Sequence, residues 1–213
     1  MTEPAPMLHP TYAPDAEPDE QVSDAGEALI TAAIWLFCRN GIRNTGIEKI
    51  ISRAGVSKMT LYNRFATKDG LVSAALEKEA EQWREWFFAS VNAPTPDPRY
   101  GRLLFIFDAL FVWFERKDYF GCLVMKAAIE FDGQSAEITR IFKTHKQKMD
   151  DYLIHLCEEA GFEAPIRLAS MLTTIIDGCI VKALVSRNAN VALEAKDICK
   201  SILNSEMKGS LTE

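Results

Sequence analysis

Histidine is scarce, with three residues in 213: His9, His145 and His155. They form no His/Cys or His/carboxylate metal spacing, and the chain has no GxSxG, phosphate loop or dinucleotide fingerprint. Glu158 and Glu159 are sequence neighbours and do not share a helix face. No catalytic residues, metal or cofactor are therefore expected, and an enzyme is excluded from the expectation. The five cysteines (Cys38, Cys122, Cys157, Cys179, Cys199) include no CxxC pair. They read as buried reduced thiols, with a redox switch as the alternative. No apolar run approaches transmembrane length: Leu103 to Phe114 is 12 residues and contains Asp108. No positively charged, apolar signal peptide opens the chain. A soluble, cytoplasmic protein with no membrane partner is expected.

Positive charge is absent from the first 22 residues, which hold five prolines and five acidic groups. Such a segment buries too little apolar surface to offset its ordering entropy, so residues 1–22 read as a disordered acidic, proline-rich tail. Without Arg or Lys it is no candidate for a minor-groove arm. What the tail lacks is concentrated just downstream. From Arg39 to Lys68 there are seven basic residues and one acidic, Glu48, a local charge of +6. Removing it from the whole-chain −6 leaves −12 on the remainder. A cationic module on an acidic body is an electrostatic footprint for nucleic acid.

No alternating β pattern and no repeat is present, so the fold is read as all-α, with about nine helices. The first runs from Ser23-Asp24 to Gly41 through Leu29, Ile30, Ala33, Ile34, Phe37 and Cys38. Thr45, with Glu48 three residues on, reads as a capping box opening a second helix whose Ile47, Ile50 and Ile51 face inward. Ser57 caps the third, and Thr67-Lys68-Asp69 opens a long fourth. After the break at 93–98, with Asp97 as cap and Pro98 at the first helical position, helices are expected over 99–116, 121–131, 135–160, 165–187 and 191–207. Domain boundaries follow: tail 1–22, a three-helix unit 23–70, and a larger helical domain 71–213.

The run Thr45 to Phe65 carries the sharpest signal. Two short helices meet at the tight Ala54-Gly55-Val56 turn, the layout of a helix-turn-helix that places one helix in a DNA major groove. On the second of them Lys58, Met59, Tyr62 and Asn63 share one face, opposite Leu61 and Phe65. Asn63 suits a bidentate pair with adenine, Lys58 a guanine or phosphate, and Met59 a thymine methyl or a packing role. Ser57 and Thr60 suit base or phosphate contacts. Thr45, Tyr62 and Lys68 suit phosphates at the rim. Arg43 and Arg53 read as contacts or as solvated surface charge.

These residues, from the first helix to Gly41 and then Thr45, Ile47, Ile50, Ala54-Gly55-Val56-Ser57-Lys58, Thr60-Leu61-Tyr62, Phe65, Lys68 and Leu71, resemble the DNA-binding domain of TetR-type transcriptional regulators. The stretch GCLVMKAAIEF (121–131), the His145-Lys146 pair and the Leu168 to Gly178 segment resemble one ligand-domain subgroup of that family. The resemblance implies an all-helical homodimer whose small-molecule pocket controls binding to a pseudo-palindromic double-stranded operator, most often as a repressor. Gly46 departs from the family pattern, which commonly has Thr or Ser there. Control by a partner protein, or no ligand response, stays open as the alternative.

The larger domain is rich in big apolar groups interrupted sparsely by Asp108, Glu130, His145 and Asp177, the usual form of a small-molecule site. Phe107, Phe111, Trp113, Met125, His145, Met149, Tyr152 and Asp177 are the candidate ligand contacts, for an effector expected to be largely apolar. A hydrogen-bonded core role for His145 is the competing reading. Residues 165–187 are apolar on nearly every side, so the last two helices are expected to form a homodimer interface.

Overall fold

The computed structural model of the chain describes residues 24–93 and 100–209. The expected tail, Ser23, and the Asp97 cap with Pro98 lie outside the described residues. Among those described, the regular structure is helical: α1 (Ala25–Asn40), α2 (Ile47–Ala54), α3 (Lys58–Phe65), α4 (Lys68–Val91), α5 (Gly101–Phe114), α6 (Leu123–Phe131), α7 (Ala136–Glu159), α8 (Pro165–Ser186) and α9 (Val191–Gly209).

Local chemistry sets most of the ends. The Asp24 carboxylate accepts from Gly26 N at 3.0 Å and caps α1, which stops at Gly41 with φ 81°. Gly55, left-handed at φ 66°, closes α2 by donating to Ile51 O. Ser57 Oγ accepts from Thr60 N at 3.1 Å at the head of α3, and Thr67 Oγ1 accepts from Gly70 N at 3.0 Å at the head of α4. Pro165 lies in the first turn of α8, where its missing N–H costs nothing.

The expected capping box at Thr45 is not formed. Gly46 is the N-cap of α2, without a side-chain cap. Thr45 is fully buried, and its hydroxyl donates back to Gly41 O at 2.7 Å. A threonine can turn to the i−4 carbonyl as readily as forward to an amide. Here the carbonyl just past the end of α1 has no helical donor and takes it.

The join between α3 and α4 is strained. Ala66 has φ 60° and ψ −40°, and Thr67 N donates to Phe65 O at 2.6 Å, a γ-turn. A Cβ on Gly70 would lie 2.3 Å from Phe65 O, so only glycine fits there.

The described residues divide into two compact units, one of 24–83 with 122–145 and the other of 84–121 with 146–209, and α4 and α7 contribute residues to both. In the first unit α1, α2 and α3 pack on one another around Leu29, Ile34, Phe37, Ile42, Ile50 and Leu61. Each such side chain stabilises by roughly 1.5–3 kcal/mol. In the second, α5 packs on α9 and α8, and α8 on α9, burying Leu103, Phe107, Leu110, Leu172, Ile176 and Leu203.

The length and apolarity of α8 correct one expectation. It has 22 residues and a mean hydropathy of 1.7 over its most apolar 18-residue window, so by length and composition it is long enough to cross a membrane. Thr173, Thr174 and Asp177 break the contiguous apolar run while the average stays high. Buried residues make up 39% of that window, and α8 packs within a helical unit.

Candidate nucleic-acid interface and effector cavity

One face of α3 is sunk and the other is bare. Leu61 is fully buried, whereas Met59 is 72% exposed and Tyr62 42% exposed, and Lys58 and Asn63 share their exposed side. Ser57 and Thr60 join at its head, their hydroxyl oxygens 2.8 Å apart, with Thr60 half-buried. Lys58, Met59, Tyr62 and Asn63 therefore stand together on an exposed face of one helix, as their spacing demands. Thr45 does not join them, because its buried hydroxyl is used inside the α1–α2 turn. Lys68 is also committed: its ammonium donates to Ile42 O at 3.0 Å.

The cationic patch is more internally occupied than its charge suggests. The Arg39 and Arg53 guanidiniums lie over the Trp35 ring, 3.9 and 3.5 Å from its centroid. Burial, and then the Arg39 charge, lower the Arg53 pKa. Arg43 donates to Gln134 Oε1 at 2.6 Å, and Arg64 pairs with Asp24 at 2.9 Å. Lys58 reaches Glu48 at 3.4 Å, both well exposed, with Glu48 held below its ordinary pKa by a hydrogen bond to its own backbone amide first and by Lys58 second. An exposed pair of this kind is worth ~0–1 kcal/mol, so Lys58 can exchange Glu48 for a phosphate or a base.

The turn that presents α2 is gripped from α6, which sequence reading missed. Glu130 accepts from Ile42 N at 3.0 Å and Arg43 N at 2.6 Å, and Lys126 donates to Cys38 O at 2.7 Å. The available signals were the Lys126/Glu130 pair one turn apart and the glycine at Gly41.

The expected ligand residues separate between the units. Met125 and His145 belong to the unit holding α1 to α3; Phe107, Phe111, Trp113, Met149, Tyr152 and Asp177 belong to the other. The polar groups expected to orient a ligand are engaged within the protein. Asp108 pairs with Lys196 (2.6 and 2.7 Å) and Asp177 with Lys146 (2.7 Å to both oxygens). His145 meets Trp83 edge-on at 5.8 Å. Tyr152 stacks on Phe88 at 4.0 Å and donates to Asn92 Oδ1 at 3.0 Å.

In the second unit, a cavity of about 420 Å³ lies between the end of α5 and the α8–α9 turn. Of the candidate ligand contacts only Phe111 lines it, beside the aromatics Phe114 and Tyr119; Lys117, Arg187 and Asn190 were not foreseen. Arg187 holds its place by donating to Tyr119 O at 3.1 Å. Among the described residues, no group of three or more His, Cys, Asp or Glu is arranged to hold a metal ion.

Burial pushes the thiols up: Cys179 to about 11, and Cys157 and Cys199 to about 12, with Cys38 raised further by burial and by Glu79. These are poor nucleophiles at neutral pH.

Residues 29–75 match the family described as bacterial regulatory proteins, tetR family. The HTH-type transcriptional regulator YvkB of Bacillus subtilis (strain 168) is 29% identical over 161 residues, 73% of this chain and 81% of that one. The HTH-type transcriptional regulator YjdC of Escherichia coli (strain K12) is 22% identical over 180 residues, covering 83% and 92%. The fold is shared with the crystal structure of SCO4454, a TetR-family transcriptional regulator from Streptomyces coelicolor. There the TM-score is 0.78 at 22% identity, over 85% of this chain and 95% of that one. Residues 29–75, which include the exposed face of α3, thus form a domain of the tetR family of bacterial regulatory proteins, and the chain as a whole shares the fold of a TetR-family transcriptional regulator.

Proposed function

We propose that the protein acts as a homodimeric repressor that binds a pseudo-palindromic operator and is released by a small molecule. The observation that carries this reading is the apolar surface left bare on the last two helices. On α8, Ile166 is 71% exposed, Val181 45% and Val185 80%; on α9, Leu193 is 40% and Ile198 54%. Exposed side chains of this size on two neighbouring helices suit the same helices of a second copy across a two-fold. Two copies of α3 would then meet major-groove faces about 34–36 Å apart, or a multiple of that.

The effector enters the second unit. The cavity beside the α8–α9 turn supplies aromatic rings from Phe111, Phe114 and Tyr119 and, against the single carboxylate of Glu115, cationic donors from Lys117 and Arg187. That lining favours a small amphipathic acid over a wholly apolar molecule. Because α4 and α7 each give residues to both units, a shift of either helix is a path from effector to DNA. By linkage, DNA must weaken effector binding by the factor by which the effector weakens DNA binding.

The test is fluorescence anisotropy with a duplex that the protein selects from a random pool, titrated alone and with a panel of aromatic and aliphatic acids. Two protomers per duplex and release by one acid are expected. One protomer per duplex, or no release by any small molecule with release by a partner protein, defeats the reading.

A further inference from the structure

We propose that Glu130 and Lys126 of α6 are positioning residues for DNA reading: they fix the α1–α2 turn, and with it the setting of α2 and α3, without touching DNA. This rests on the reading of α3 as the DNA-facing helix.

Every backbone polar group from Gly41 to Ile42, and the amide of Arg43, has a named partner. Gly41 N donates to Phe37 O at 3.0 Å, and Gly41 O accepts from the Thr45 hydroxyl at 2.7 Å. Ile42 N and Arg43 N both donate to the Glu130 carboxylate, at 3.0 and 2.6 Å. Ile42 O accepts from Lys68 Nζ at 3.0 Å and from Thr45 N at 3.2 Å. The Ile42 peptide is thus held on its N–H side from α6 and on its carbonyl side from α4.

The charges on α6 match what they hold. Lys126 and Glu130, four apart, project from one side of the helix. The ammonium donates to Cys38 O at 2.7 Å, in the last turn of α1, where the helix dipole favours a cation. The carboxylate takes the two amides that follow, in charge-assisted bonds. Arg43 adds its guanidinium over Phe131, 4.9 Å from the ring centroid, and its bond to Gln134.

Two features show why this turn needs an outside hold. Gly46 gives α2 no side-chain cap at its N-cap position. Gly41, at φ 81°, leaves room for the carboxylate, since a Cβ there would lie 3.3 Å from Glu130 Oε2. The hold comes from a segment 87 and 88 residues further along the chain, within the same compact unit.

The test uses the full chain, Glu130→Gln, Glu130→Ala and Lys126→Met, and a duplex selected by the wild-type protein from a random pool. Amide hydrogen exchange at Ile42 and Arg43 is expected to speed up roughly tenfold in Glu130→Gln, the loss of one charge-assisted bond. Affinity for the duplex should fall by a similar factor while its salt slope stays that of wild type, because no phosphate contact is lost. Lys58→Ala, in contrast, should flatten the slope by about one. Where Glu130→Ala fails to fold, Glu130→Gln and Lys126→Met carry the test. Faster exchange with unchanged affinity, or unchanged exchange, overturns the proposal. Lys58→Ala and Asn63→Ala both binding as wild type overturns instead the reading of α3 beneath it.

Discussion

The Lys146 ammonium sits 2.7 Å from both carboxylate oxygens of Asp177, joining α7 to α8. The Lys146 side chain is 18% exposed and that of Asp177 32%. A partly buried carboxylate so held is a structural group, and an effector would have to displace the lysine to use it. Lys146→Met should destabilise by about 1–3 kcal/mol in urea unfolding, since it leaves a shielded charge uncompensated. Adding Asp177→Leu should recover most of the loss. If Lys146→Met unfolds at the wild-type midpoint, the pair contributes nothing and Asp177 returns to the list of ligand contacts.

Lys68 and Tyr62 are expected to behave differently, though both suit phosphate contacts by their place in the sequence. Lys68→Ala removes the donor to Ile42 O and should lower the melting temperature as well as DNA affinity. Tyr62→Phe leaves folding alone and weakens binding to all sequences alike. Calorimetry beside anisotropy separates the two. An unchanged melting temperature for Lys68→Ala would place that ammonium back on DNA.

Strain at the α3–α4 join predicts opposite effects of two small changes. Ala66→Gly should stabilise by about 1 kcal/mol, because glycine relieves the positive φ of 60°. Gly70→Ala should destabilise strongly, its methyl being forced into Phe65 O. Denaturant midpoints measure both, and a destabilised Ala66→Gly would contradict the strain.

Thiol burial sets an alkaline limit to stability. Cys157, Cys179 and Cys199 are raised from 9.0 to between about 11 and 12, so above pH 9 the unfolded chain sheds these protons while the folded chain keeps them. Stability from this source is complete below pH 9 and falls as pH rises toward 11–12. Native protein should therefore alkylate slowly at pH 8 and quickly in urea. Rapid labelling of the folded protein would favour the redox alternative.

The parts legible in the sequence are those whose cause lies within a few residues. Ser57 caps α3, Gly41 and Gly55 end α1 and α2, and Pro165 opens α8, each for a local reason. The exposed face of Lys58, Met59, Tyr62 and Asn63 follows from helical period alone. Thr45 misled because its hydroxyl has two local partners of similar worth, and chain order does not say which one wins. Glu130, Asp108 and Asp177 stood out as polar residues in apolar helices, but their partners lie 31 to 88 residues away. Each of these carboxylates is engaged by a group of the protein itself. The cavity at the α8–α9 turn was hidden for the same reason, since Lys117 and Arg187, 70 positions apart, line one space only once α5 and α8 are packed.

α3 is expected to read DNA by its exposed face, as half of a two-fold pair. The most direct measurement of this is the affinity of wild type, Lys58→Ala and Asn63→Ala for the selected duplex and a panel of its single-base variants, with stoichiometry from sedimentation. Two protomers per pseudo-palindrome are expected. Asn63→Ala should lose about 1–3 kcal/mol of discrimination at one symmetry-related base position and little elsewhere. Equal losses for Asn63→Ala at every position, or a single protomer bound, would contradict this reading.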